Sequence, residues 1–187
     1  MKRILVFCTL LILMERLSAQ NTFPPLDKSP MDMSYYPVDY PILKIRDKAK
    51  DPPVARVIYG RPQRDGRNIF GDLEPYGKVW RLGANEATEI EFYKDVKSGN
   101  TNIKKGRYTM YALLNAGNWT IILNKDTDTW GAFKYDSTKD AARIQAPVQK
   151  QAEPLEIFTM VFEKSGDKSA NLVIAWDTIL VKFPFSW

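Results

Sequence analysis

With 187 residues, 44% of them hydrophobic and 12% aromatic, the chain has enough apolar material for one globular domain with a proper core, which argues against a disordered or membrane protein. Its formal charge of +5 comes without a Lys/Arg run, so the concentrated basic stripe of a nucleic-acid binder is missing. There is no histidine, and the only cysteine is Cys8.

The first segment, "MKRILVFCTLLILMERLSAQ", has the layout of a secretory signal peptide. Lys2 and Arg3 form a basic start, Ile4 to Met14 an apolar run too short to span a membrane, and Ala19 a small residue at the expected cut. Residues 1–19 are therefore expected to be removed, leaving no transmembrane segment and an exported product, periplasmic or extracellular. Cys8 would leave with them, and the formal charge would fall to +3, since three basic residues and one acidic residue go. The mature protein would then have no disulfide, thiolate or imidazole.

Eight of the twelve prolines lie between Pro24 and Pro62, so residues 20–53 cannot hold long helices. Tyr35, Tyr36, Tyr40 and "ILKI" suit an extended arm whose aromatics anchor on the domain. From residue 54 to 187 the pattern is β. "VARVIYG" (54–60) and "TEIEFY" (88–93) alternate, the latter with Ile90 and Phe92 inward and Glu89 and Glu91 outward. "GRYTMYALL" and "WTIILNK" flank the turn "NAGN", and "PLEIFTMVFEK" and "ANLVIAWDTILVKFPF" flank "SGDKS", so two hairpins are expected. Phe158, Met160 and Phe162 alternate with Ile157 and Val161, which reads as a central strand apolar on both faces. No convincing amphipathic helix longer than about three turns is present. Six to nine strands give a mainly β fold: a single antiparallel β-sandwich or flattened barrel behind a proline-rich N-terminal arm.

Five of the ten glycines fall between Gly60 and Gly83, in a connection that also carries Arg61, Arg64, Arg67 and Arg81. It runs into "WRLGANEAT" (80–88), which is oddly rich in large and charged residues for a loop. In one reading this is a ligand site: arginine forks and Asn85 take oxygens while Trp80 or Tyr76 stacks on an apolar face. In the other it is a packed corner, with Trp80 in the core, Gly83 at positive φ, Asn85 capping a turn and Arg81 paired with Glu86 or with carbonyls. The candidate ligand-binding residues are Trp80, Arg81, Asn85 and Glu86, with Trp130 and Tyr135 as partners from another loop.

Without His and Cys, neither a Ser-His-Asp triad, a Cys-His dyad nor a His-ligated zinc site can be built. Carboxylate chemistry remains, with Glu86 and either Asp72 or Glu74 as an acid–base pair of the glycosidase kind. "NKDTDTWGAFKYD" (124–136) alternates acidic residues as a calcium loop does. However, Thr129 stands where the glycine belongs and Tyr135 where the bidentate glutamate belongs, so no metal and no cofactor are assigned. "NWT" at 118–120 is a glycosylation triplet that matters only if the source glycosylates such sites.

The stretch "ARVIYGRPQRDGRNIFGDLEPYGKVWRLGANEATEIEF", together with "KKGRYTMYALLNAGNWTIILNKDTDTWGAFKYD" and the closing "LVIAWD", resembles the secreted bacterial family catalogued as domain of unknown function 2911. The arm "MDMSYYPVDYPILKI" resembles one branch of it, so the likeness runs from about Met31 to about Val181. It implies a signal peptide followed by one mostly β domain, and carries over no activity, cofactor or catalytic residue. The functional expectation is an exported, non-catalytic domain that binds a small molecule, a glycan or an envelope protein. The alternatives are a carboxylate-dependent glycan hydrolase and a structural envelope protein docking through its arm. The exported protein should begin at Gln20, within a residue or two; an intact mass that retains residues 1–19 would overturn the signal-peptide reading.

Overall fold

The computed structural model describes residues 23–187. The expected signal peptide and the first residues of the arm lie outside the described residues. Eleven elements follow in chain order. They are β1 (Met31–Tyr36), α1 (Tyr40–Ile45), β2 (Ala55–Gly60), β3 (Val79–Trp80), β4 (Glu89–Phe92), β5 (Val96–Ser98), β6 (Thr101–Ile103), β7 (Gly106–Leu113), β8 (Asn118–Asn124), β9 (Asp140–Gly166) and β10 (Ser169–Ser186). A single 3-10 turn at Ser137–Lys139 precedes β9.

The ten strands form one antiparallel sheet in the order β1-β2-β4-β7-β8-β9-β10-β5-β6, with β3 pairing on β7. The sheet is folded over rather than closed. β9 makes the fold possible: its first part, to Pro147, pairs with β8, and from Val148 onward it pairs with β10. Between the register-matched Val148–Lys150 and Leu155 the ladder shifts, at "QAEP", where Pro154 has no donor to give. One strand thus leaves the first layer and founds the second, and a single apolar core lies between the two. Trp80, Trp119, Phe158 and Trp176 meet there edge-on or stacked, with ring centroids 5.2–6.0 Å apart in four of their pairings. Such burial of large aromatics is the main stabilising contribution in a domain without disulfides.

Alternation decides the strands that it predicted. Ile90 and Phe92 are buried while Glu89 and Glu91 stay partly exposed, and both expected hairpins form, as β7–β8 and β9–β10. The segment 155–164 differs from expectation. Phe158, Met160 and Phe162 are buried, but Ile157 and Val161 are 38% and 47% exposed, so only one face is covered. The reason is topological: this stretch of β9 has β10 on one side, and on the other no strand ladder continues the sheet among the described residues.

On that open side β1 and β2 come close, and side chains take the place of a ladder. The Ser34 hydroxyl and the Tyr59 phenol both donate to the Met160 carbonyl, at 2.7 and 3.1 Å, and Arg61 donates to the Phe158 carbonyl at 3.2 Å. Arg61 also pairs with Asp32 at 2.9 Å. Just past β2 a short bridge forms, with the Phe158 N–H on the Pro62 carbonyl and the Arg64 N–H on the Glu156 carbonyl. From Met31 onward the expected arm is therefore joined to the sheet: β1 forms its edge on β2, and Tyr36 packs against Phe162, Phe185 and Trp187.

Tyr59→Phe should cost about 0.5–1.5 kcal/mol in a urea titration, because Ser34 still satisfies the Met160 carbonyl. The double change Ser34→Ala/Tyr59→Phe leaves that carbonyl without either donor and should cost more than the two single changes added. A double variant as stable as the parent would mean that these bonds do not hold the seam.

Candidate functional site

β3 and β4 are two halves of one interrupted strand. Both lie on the same edge of β7, with Trp80 opposite Ala112 and Glu89 opposite Thr109. Between them residues 81–88 leave the sheet and return. The neck is closed by the Thr88 N–H on the Arg81 carbonyl at 3.1 Å and by the Thr88 hydroxyl on the Leu82 carbonyl. Leu82 and Asn85 have φ near +54° and +61°, strained values that the surrounding bonds hold in place. Gly83 (φ +150°) and Gly60 are required here for a second reason. A Cβ on Gly60 would overlap the Ala84 carbonyl, and one on Gly83 would meet the Gly60 carbonyl at 2.8 Å.

The excursion separates the expected site residues into two groups. Trp80 is buried among Phe70, Trp119, Phe158 and Trp176, with its indole N–H on the Gly83 carbonyl at 3.2 Å, and offers no free face. Arg81 does not pair with Glu86 among the described residues. Its charged neighbour is Glu74, and its Nε is buried without a partner. Burial pushes the Glu74 carboxyl up to about 7, against the opposing pull of Arg81 and of the nearby Trp80 indole N–H. Asp72 is exposed.

Asn85, Glu86, Trp130 and Tyr135 form the other group. Residues 85–87 pair antiparallel with 129–131 through the Ala87 N–H on the Thr129 carbonyl and the Gly131 N–H on the Asn85 carbonyl, both 3.0 Å. Glu86 and Trp130 sit directly opposite in this bridge, so their side chains leave the same face. Both are exposed, and among the described residues the Glu86 carboxylate has no hydrogen bond or ion pair. Beside Glu86 lies a cleft of about 150 Å³ lined by Met31, Ile58, Glu86, Ala87, Glu89, Asp128 and Thr129. Arg107 neutralises two of its three carboxylates, reaching Asp128 at 2.5 Å and Glu89 at 3.4 Å, while the Asp128 N–H donates to Glu89 at 2.7 Å.

Tyr135 holds the loop rather than the cleft. Its ring packs edge-on to Tyr111 in a small apolar cluster with Ala87 and Ile122, outside the main core. Its hydroxyl donates to Asp140 at 2.7 Å, and burial and the Asp140 charge push its pKa up to about 12, so it remains a donor. The calcium-like acidic residues are spent on ion pairs, Asp126 with Lys139 and Asp128 with Arg107. The cleft residues Met31, Ile58 and Glu89, and Arg107 beside them, were not among the sequence candidates, and Asp128 was weighed only as part of a calcium loop. Glu89 and Arg107 stand on outward positions of neighbouring strands, but their pairing is set by the β4–β7 register, which no local pattern reveals.

A raised Glu74 pKa means that the folded state binds a proton that the unfolded state releases. The stability it gives is fully present below about pH 4.5 and is lost as pH rises through about 7. Glu74→Gln should remove that slope, making the variant at least as stable as the parent at pH 8 in urea titrations between pH 5 and 8. Parallel curves for the two proteins would contradict the assignment.

No curated protein and no solved structure matches the chain. A family model described as "Protein of unknown function (DUF2911)" matches residues 44–185, from α1 to the end of β10, which is most of the chain. The whole interrupted strand, the excursion and the loop facing it fall inside that match, and the chain belongs to the DUF2911 family.

Proposed function

We propose that this protein is an exported, non-catalytic binding domain whose recognition surface is the face where Glu86 meets Trp130. The observation that carries this reading is the pairing itself. A carboxylate that lines a cleft and has no hydrogen bond or ion pair among the described residues stands opposite an indole that is 62% exposed, on backbone fixed by two hydrogen bonds. Large apolar groups are normally withdrawn from water, and those left out beside a cleft tend to mark contact sites. The surroundings are rigid. Asn85 is pinned at positive φ, and Tyr111, Ile122 and Tyr135 fix the facing loop from below.

Hydrolysis of glycans draws support from Glu74 alone, whose carboxyl stays protonated up to about 7, as a general acid requires. Neither Glu74 nor Asp72 lines the Glu86 cleft. Docking through the N-terminal arm is better tested by surface substitutions on α1 than by truncation, since removing residues 20–50 takes β1 from the sheet.

A thermal-shift screen with calcium, zinc, simple anions, saccharides and cell-wall fragments tests the reading. A ligand at a hundredfold excess over its dissociation constant adds about 2.7 kcal/mol to the native state. The expected outcome is a saturable rise that is lost in Trp130→Ala and weakened in Glu86→Gln. Both variants should unfold near the parent midpoint without ligand, because exposed substitutions usually change stability by no more than about 0.5 kcal/mol. A shift that survives both substitutions would refute this surface as the site.

A further inference from the structure

We infer that the surface around Trp130 is built to take a sugar ring, with the indole as its stacking face and the cleft carboxylates as acceptors for its hydroxyls. The inference rests on the binding-domain reading above and goes further by naming the ligand chemistry.

Trp130 is not alone. Phe133, three residues on, is 85% exposed, and its ring lies over Gly131: a Cβ at Gly131 would meet Phe133 carbons at 2.6 and 2.8 Å. Gly131 is favoured there by its φ of +69°. Scattered exposed aromatics need no explanation, but these two belong to one loop that has an apolar cluster of its own. That cluster gathers Ala87, Tyr111, Ile122, Ala132 and Tyr135, and leaves Trp130 and Phe133 outside it. The loop packs the partly buried Ala132 and Tyr135 against that cluster as its anchor and leaves Trp130 and Phe133 to solvent.

The cleft supplies the other half of the chemistry. At about 150 Å³ it is smaller than the pockets of roughly 300 Å³ and above that enclose drug-sized ligands, so it suits one ring and its substituents. Glu86, Glu89 and Asp128 accept hydrogen bonds and cannot donate them while ionised, so the matching ligand brings donors. Sugar hydroxyls do this without bringing charge. Arg107 already offsets part of the negative field, through Glu89 and Asp128, which lessens the demand for a cationic partner. Met31 and Ile58 give the cleft an apolar wall suited to ring C–H groups. Phosphate- or sulfate-bearing ligands are disfavoured by the same three carboxylates.

The test titrates the purified protein with glucose- and N-acetylglucosamine-based saccharides of one to six rings, following tryptophan fluorescence and calorimetry. Hexylamine and sulfate serve as the cationic and anionic comparisons. Saturable saccharide binding is expected, weakened at least tenfold by Trp130→Ala, less by Trp130→Phe, and measurably by Phe133→Ala and Glu86→Gln. Affinity should stop rising after two or three rings, because the aromatic surface is short. Absence of saccharide binding overturns the inference, as does binding indifferent to both aromatics. A response to hexylamine or sulfate alone that Trp130→Ala abolishes would sink the sugar assignment while leaving the binding-domain reading standing. Ligand binding insensitive to residue 130 would sink both.

Discussion

The geometry of this protein depends on one steric constraint: two stretches of backbone, at Gly60 and at Gly83–Ala84, approach too closely to admit a side chain between them. Gly60 ends β2 and Gly83 is the middle of the excursion that breaks the β3/β4 strand. With the two in contact, the excursion cannot spread over the sheet and is forced outward, towards the loop at 129–131. The closed neck at Thr88 then turns a flexible stretch into a rigid strap, and the left-handed residues Leu82 and Asn85 are the local cost of that shape. The carboxylate of Glu86 and the indole of Trp130 owe their juxtaposition to this chain of constraints.

Around that corner, polar side chains do work that backbone does elsewhere. The sheet remains open between β1–β2 and the latter part of β9, and Ser34, Tyr59 and Arg61 satisfy the carbonyls that a neighbouring strand would have taken. On the opposite face Arg107 ties the loop at Asp128 to β4 at Glu89, and Asp140 holds Tyr135. Charged pairs that are this exposed contribute little to stability individually. Their role is positional: they fix which loop lies against which strand.

What the sequence made legible follows from how local each signal is. The β class, the two hairpins and the inward face of β4 were readable because period-two alternation needs only a few residues of context. β1 lay inside the proline-rich stretch read as an arm, and its pattern is inverted for a core strand, with Asp32 and Ser34 directed to the seam and Met31 and Met33 half-exposed. β3 has two residues, too few to alternate at all. The corner was recognised as unusual and Trp130 was named as a partner from another loop, but Trp80 and Arg81 were grouped with Asn85 and Glu86 by their closeness in sequence. Backbone that reverses at Gly83 sends Trp80 to the core and Arg81 to Glu74, while Glu86 meets a tryptophan forty-four residues away. The register that sets the two directly opposite comes from the fold and not from spacing.

The closed neck has a consequence for how such a domain diversifies. Because residues 81 and 88 are bonded to each other and the strand resumes on the same edge of β7, the strap between them is an autonomous module. Its tip faces a loop that is anchored by its own apolar cluster rather than by the main core. Two surface segments can therefore drift in length and chemistry while every sheet register stays as it is. Family members would be expected to keep the glycines at positions 60 and 83 and to differ at 85–86 and 130–133.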